Sequence, residues 1–223
     1  ITVPKSRKTS NVFAATKLGA YNPAAGYTVQ PGSTKCKRKA ESFANFEFAA
    51  PRTLDEALSL FAQPGEVRPV AGGTDVIDQL KTGRRRADLV VDIKRIPELQ
   101  RLEIDTDGAF HIGAARCCTD IHNFAPAQAR FTGISEACGL VGSVQIQNRA
   151  AIGGNICNAS PSADTTPSLL SHDASAIIIS VKGQRRVPLA DFFSGPGQTV
   201  LQKGEILQEI RSEERRVGKE CRS

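Results

Sequence analysis

The stretch RAAIGGNICNASPSADTTP, Arg149–Pro167, restricts the fold more than any other part of this chain. Adjacent glycines, paired asparagines and several small hydroxyl residues leave it little apolar bulk, so it cannot serve as a core strand. The Ala-Ile-Gly-Gly-Asn-Ile pattern is too particular for a mobile linker. Such a segment is built to lie close against something else. A second glycine pair, in Ala71-Gly72-Gly73-Thr74-Asp75, sits between a strand-like run and a helix-like run. Glycines there let the backbone turn tightly and present successive N–H groups, and the helix start adds partial positive charge. The segment is neither a Walker loop, which needs Gly-Lys-Ser/Thr, nor the dinucleotide fingerprint G-x-G-x-x-G. Taken singly, each glycine pair also fits a purely structural role, the first as a tight β-to-α turn and the second as a β-bulge or softened strand.

The surrounding periodicities place the two segments in different units. RTLDEALSLFAQ carries Leu54, Ala57, Leu58 and Phe61 at helical spacing, with Thr53 and Glu56 as a capping box. EVRPVAGG then reads as a strand entering a turn, DVIDQLKTG as a helix closed by Gly83, and ADLVVDI as a buried strand, together a small α/β unit. LEIDTDGAFHIGA alternates on both sides of Asp107-Gly108 and predicts a hairpin. CTDIHNF, capped by Thr119, and GISEACGLVGSVQI read as helices, and TPSLLSHD as a helix from about Pro167. SAIIISVKGQRRVPL predicts a second hairpin turning at Lys182-Gly183, followed by DFF and GEILQEI. The second half thus reads as an antiparallel sheet with helices. A glycine segment in each unit suits a long phosphorylated ligand held between them.

Charge is unevenly spread. Residues 1–40 hold eight Lys/Arg and no acid, whereas 41–210 hold 16 basic and 20 acidic residues, so the folded part is mildly acidic and offers no nucleic-acid surface. Residues 1–40 lack hydrophobic periodicity and are read as disordered or extraneous. No apolar run is long enough to cross a bilayer. The six cysteines show no paired framework and no C-x-x-C, which points to a reduced, cytoplasmic setting without a zinc or iron–sulfur site. His111, His122 and His172 are scattered, so neither a metal centre nor a Ser-His-Asp triad is expected, and no acid–base residue is assigned. The chain contains no Met and is read as a fragment.

VAGGTDVIDQLK, QNRAAIGGNICNASPSADTTPSLL and RRVPLADFFSGPGQTVLQKGEIL together resemble the FAD-binding medium subunits of the molybdenum hydroxylases, the family of xanthine dehydrogenase and carbon monoxide dehydrogenase. The likeness runs from about Phe46 to Ile210 in family order. It implies an α+β, two-subdomain FAD-binding fold of the p-cresol methylhydroxylase type over 41–210, with a βαβ-like first subdomain over about 41–100 and an antiparallel sheet with helices over about 101–210. By resemblance, Ala71, Gly72, Gly73, Thr74 and Asp75 would bind the diphosphate of FAD, and Ala151, Ile152, Gly153, Gly154 and Asn155 would line its ribityl–diphosphate run. Asp164 would accept hydrogen bonds from ligand hydroxyls. Ala151 stands where the family usually has Thr, which removes one hydroxyl contact.

The same resemblance implies an oxidoreductase subunit taking electrons from iron–sulfur clusters and passing them to NAD, a quinone or dioxygen. Molybdopterin and 2Fe–2S clusters are then expected on a large and a small partner subunit. Arg211–Ser223, RSEERRVGKECRS, resembles a translated sequencing adaptor and is expected to stand where the family continues into a further C-terminal domain. The alternative reading is a non-catalytic fragment or interaction module that keeps the fold without stable FAD.

Overall fold

The computed structural model describes residues 46–212. The readings of residues 1–40 and of 213–223 lie outside the described residues. Strand β1 (Glu47–Ala49) precedes helix α1 (Leu54–Phe61), which starts where its cap was placed: Glu56 N donates to Thr53 Oγ1 at 3.3 Å. The box closes one residue earlier than expected, since Glu56 Oε2 accepts from Arg52 N at 3.1 Å. Strand β2 (Val67–Val70), helix α2 (Val76–Lys81) and strand β3 (Leu89–Asp92) form the βαβ unit. All three strands are parallel, in the order β1-β3-β2. β3 is apolar from Leu89 to Val91 because both faces are covered: Leu89 and Val91 pack with α1, and Val90 packs with Leu80 of α2.

A 3-10 turn (Pro97–Gln100) leads to the hairpin of β4 (Leu102–Ile104) and β5 (Phe110–Gly113). A helical layer follows: α3 (Cys118–His122), α4 (Ala125–Arg130), α5 (Thr132–Leu140), α6 (Val144–Gln147), α7 (Ile152–Cys157) and α8 (Thr165–Ser171). The second hairpin, β6 (Ser175–Ser180) with β7 (Gly183–Pro188), turns at Val181-Lys182, one residue before the expected position. Helix α9 (Leu189–Phe192) and the short pair β8 (Phe193–Gly195) and β9 (Gln198–Thr199) precede β10 (Ile206–Ser212). β10 inserts between the two hairpins, giving the antiparallel order β4-β5-β10-β6-β7. It pairs through Arg211 and Ser212, two residues into the segment read as a tail.

Two helix readings change. Thr119 does not cap α3; Cys117 occupies the N-cap, and the Thr119 hydroxyl donates to Asn148 Oδ1 at 2.7 Å. The chain is held extended through Cys117 by its bridge to Ala151 and by Cys118 N donating to Ala150 O, so the helix begins before Thr119. GISEACGLVGSVQI is not one helix, because Gly142 takes φ +56 and separates α5 from α6.

The larger core lies between the antiparallel sheet and the helices, where Phe110 stacks on Phe124 and packs on Phe131, with ring centroids 5.8 and 5.1 Å apart. A second core under the parallel sheet takes in Ala115 and Ile206, which tie the two sheets together. The described residues form one packed unit.

On the antiparallel sheet, His111 lies between Asp105 Oδ2 (3.0 Å) and Glu209 Oε1 (3.1 Å). The hydrogen bond from His111, helped by the Ala109 N–H, holds the Asp105 carboxyl below its ordinary range, and Arg185 does the same for Glu205. A depressed carboxylate pKa stabilises the fold above the unfolded-state value of ~4, and that contribution is lost as pH falls through the lower folded value. The contribution of these two carboxylates to the thermal midpoint is therefore expected to be constant from pH 7 to 5 and to be lost below about pH 4. Asp105→Asn should flatten part of that drop; an unchanged acid limb in the variant would contradict the linkage.

Candidate functional site

The first glycine segment leaves β2 and enters α2, as its sequence suggested. Gly73 takes φ +76, and the turn is tied to α2 by Ile77 N donating to Gly73 O and Gln79 N to Asp75 O. Among the described residues, the N–H groups of Gly72, Gly73, Thr74 and Asp75 have no backbone acceptor. Gly72 has no room for a side chain, since a Cβ there would stand 2.0 Å from Arg149 O and 2.9 Å from Ala150 Cα. The first glycine segment thus presses its backbone against the entrance of the second.

The second segment is not a turn of the same type. Ala151 is extended, and the chain then coils into α7, with Ile152 and Ile156 buried one helical turn apart. The protein itself takes the first two helical donors: Ile152 N donates to Arg116 O at 3.1 Å and Gly153 N to Ala114 O at 3.0 Å. Asn155 N returns to Ala151 O, which leaves the Gly154 N–H without a backbone acceptor among the described residues.

The two glycines of α7 have opposite reasons to be glycine. A Cβ on Gly153 would lie 2.5 Å from Ala114 O and 2.6 Å from Ala114 Cβ, so close packing of the fold requires it. A Cβ on Gly154 would meet nothing within 4 Å. Glycine inside a helix costs about 0.5–1 kcal/mol relative to alanine. Among the described residues no protein atom requires that cost at Gly154, whereas a group lying against the helix backbone would.

Both segments line one cleft of about 860 Å³, within the size range of small-molecule sites. Of the residues singled out by the sequence, Ala71, Gly72, Gly73, Thr74, Asp75, Ala151, Gly153, Gly154 and Asn155 lie on its wall. Ile152 points into the core, and Asp164 heads α8 next to Ala163, which does line the cleft. The structure adds residues that the sequence did not reveal. Gln79 of α2 donates to Asn158, just beyond α7, at 2.8 Å, and both residues line the cleft. Thr165 Oγ1 lies 2.6 Å from Asn155 Oδ1, and Lys203 and Gly204 arrive from the loop before β10. Gln79, Lys203 and Gly204 come from distant parts of the chain, and no local pattern marks them. Cys157, part-exposed at the wall, has its thiol pushed up to about 12 by desolvation and stays protonated at neutral pH. Among the described residues no group of three or more His, Cys, Asp or Glu could hold a metal ion, and no helix is long and apolar enough to cross a membrane.

The family described as "FAD binding domain in molybdopterin dehydrogenase" matches residues 44–211. The chain belongs to that family. It is 36% identical over 171 residues to the nicotinate dehydrogenase FAD-subunit of Eubacterium barkeri, covering 74% of this chain and 57% of that protein. It is 37% identical over 165 residues to the xanthine dehydrogenase FAD-binding subunit of Escherichia coli O157:H7, covering 74% and 56%. The chain thus spans a little over half the length of these relatives. Its fold matches a chain of the carbon monoxide dehydrogenase from Hydrogenophaga pseudoflava that lacks the Mo-pyranopterin moiety, with a TM-score of 0.74 and 31% identity. That match covers 78% of this chain and 60% of the other.

FAD, the cofactor for which the family is described, fits this cleft. Where the two glycine segments line it, its wall is backbone and small side chains, with unused N–H groups on both segments and open space beside Gly154 among the described residues. In the absence of ligand, Gly153→Ala is expected to destabilise the fold by about 1–3 kcal/mol, the cost of overpacking. Gly154→Ala should stabilise it by up to about 1 kcal/mol. Urea denaturation of the two variants checks this; equal losses would remove the distinction between the two glycines.

Proposed function

We propose that this chain is the FAD-binding electron-transfer component of a molybdenum-dependent hydroxylase or dehydrogenase. The flavin would supply the redox chemistry between 2Fe–2S clusters on a small partner subunit and an acceptor such as NAD, a quinone or dioxygen. Substrate would be oxidised at a molybdopterin centre on a large partner subunit. The chain's own residues bind, orient and enclose. The N–H groups of Gly72 to Asp75, with the Thr74 hydroxyl, are the proposed donors to the diphosphate, and Ala71 starts the turn that carries them. Ala151, Gly153, Gly154 and Asn155 are the proposed wall of the ribityl–diphosphate run, held in place by Ile152 behind them. Asp164, one residue beyond the wall, is the proposed acceptor for ligand hydroxyls.

The observation that carries this reading is the meeting of two glycine segments on a single cleft, one leaving the parallel sheet and one in the helical layer on the antiparallel sheet. A short ligand would need only one of them. Gly154 adds the second support, because among the described residues nothing stands where its side chain would be, which leaves room for a ligand against the helix. Nothing in the cleft favours the alternative of an interaction module without FAD.

Titrating the purified chain with FAD, followed by quenching of flavin fluorescence, tests the proposal. Saturable binding is expected, with affinity reduced about tenfold or more by Gly154→Val, whose side chain would occupy the ligand's space. The unliganded variant should still melt cooperatively. A folded chain that shows no saturable binding would overturn the proposal.

A further inference from the structure

Asn155 lines the cleft and touches Thr165, the first residue of α8, which is 1% exposed. Their side chains meet at 2.6 Å, between Thr165 Oγ1 and Asn155 Oδ1. A threonine hydroxyl has one hydrogen, and when buried that hydrogen needs an acceptor. Among the described residues Asn155 Oδ1 is the acceptor it has. If the amide were turned over, its NH2 would donate to Thr165 Oγ1, and the hydroxyl hydrogen would be buried unpaired at a cost of about 1–3 kcal/mol. The contact therefore selects one of the two amide orientations. Asn155 Oδ1 is turned to α8, and the amide NH2 has no acceptor among the described residues.

We propose that Thr165 is a positioning residue that holds the Asn155 amide with its NH2 offered to the cleft, so that Asn155 acts there as a donor to an oxygen acceptor of the bound flavin nucleotide. The inference rests on the FAD reading and deepens it. Thr165 does not touch the ligand; it acts through Asn155. The arrangement also determines what the position accepts. A ligand oxygen, of a phosphate or a hydroxyl, is favoured as acceptor, and a ligand N–H at the same point would meet another donor. No sequence pattern marks Thr165 for this work, since it follows Asp164 within a run of small polar residues.

The test is FAD affinity of the full chain across a double-mutant cycle. Thr165→Val keeps the shape and removes the hydroxyl; it is expected to weaken FAD binding about tenfold, the scale of one hydrogen bond to the ligand. Thr165→Ser keeps the hydroxyl and should restore affinity to within about threefold of the parent chain. Asn155→Asp keeps the shape but replaces the donor with an anionic acceptor, and should weaken binding about a hundredfold. In an Asn155→Ala background, Thr165→Val should cost nothing further, because the group it positions is gone. A purely structural role would lower the melting temperature without this pattern. Parent-like affinity in Thr165→Val, or a full additional loss in the Asn155→Ala background, would overturn the inference while leaving FAD binding intact. Absence of FAD binding by the parent chain would overturn the proposed function and this inference with it.

Discussion

The backbone contact of Gly72 with Arg149 and Ala150 is the constraint on which the rest of the arrangement depends. A Cβ on Gly72 would lie 2.0 Å from the Arg149 carbonyl oxygen, so the end of β2 and the entrance to α7 meet at a distance that only glycine permits. The first segment belongs to the parallel sheet, and the second is carried by the helical layer on the antiparallel sheet. Their contact turns two separate features into one continuous wall. The shared core at Ala115 and Ile206 backs the junction, and the Gln79–Asn158 hydrogen bond ties α2 to the end of α7. A ligand lying along the wall would reach N–H groups of both segments.

The second segment shows how identical neighbours in a sequence can answer to different physics. Gly153 is pressed against Ala114, whose carbonyl also takes its N–H, so its role belongs to folding. Gly154 faces open space among the described residues and lowers the stability of its own helix, so folding does not require it, and binding is the role proposed for it. Sequence alone presents a glycine pair. The division of labour becomes visible only when Ala114, some forty residues earlier, is placed beside it.

What was legible in the sequence follows the range of the interactions. The α1 cap, the Asp107-Gly108 hairpin and the β2-turn-α2-β3 order are set by residues a few positions apart, and all are present. The α+β character follows from them. The insertion of β10 between two hairpins depends on pairing with β5, almost a hundred residues away, and carries no local mark. Thr119 was a plausible cap by composition, but the Cys117–Ala151 bridge moved the helix start. Gly142 could have been an ordinary helical residue; its left-handed conformation ends α5 instead. At the cleft, the glycine segments could be read from composition, whereas Lys203 and Gln79 come from elsewhere in the chain and are placed only by the fold, and the contact of Thr165 with Asn155 depends on how α7 and α8 fold back on each other.

The most direct measurement of the central claim, that both segments bind one nucleotide together, is amide hydrogen exchange with increasing FAD. The expected result is slower exchange at Gly72–Asp75 and at Gly154, rising together along one saturation curve, with little change at Ile152 and Gly153, whose N–H groups are already bonded within the protein. Protection confined to one segment, or appearing at two different FAD concentrations, would contradict a single site built from both.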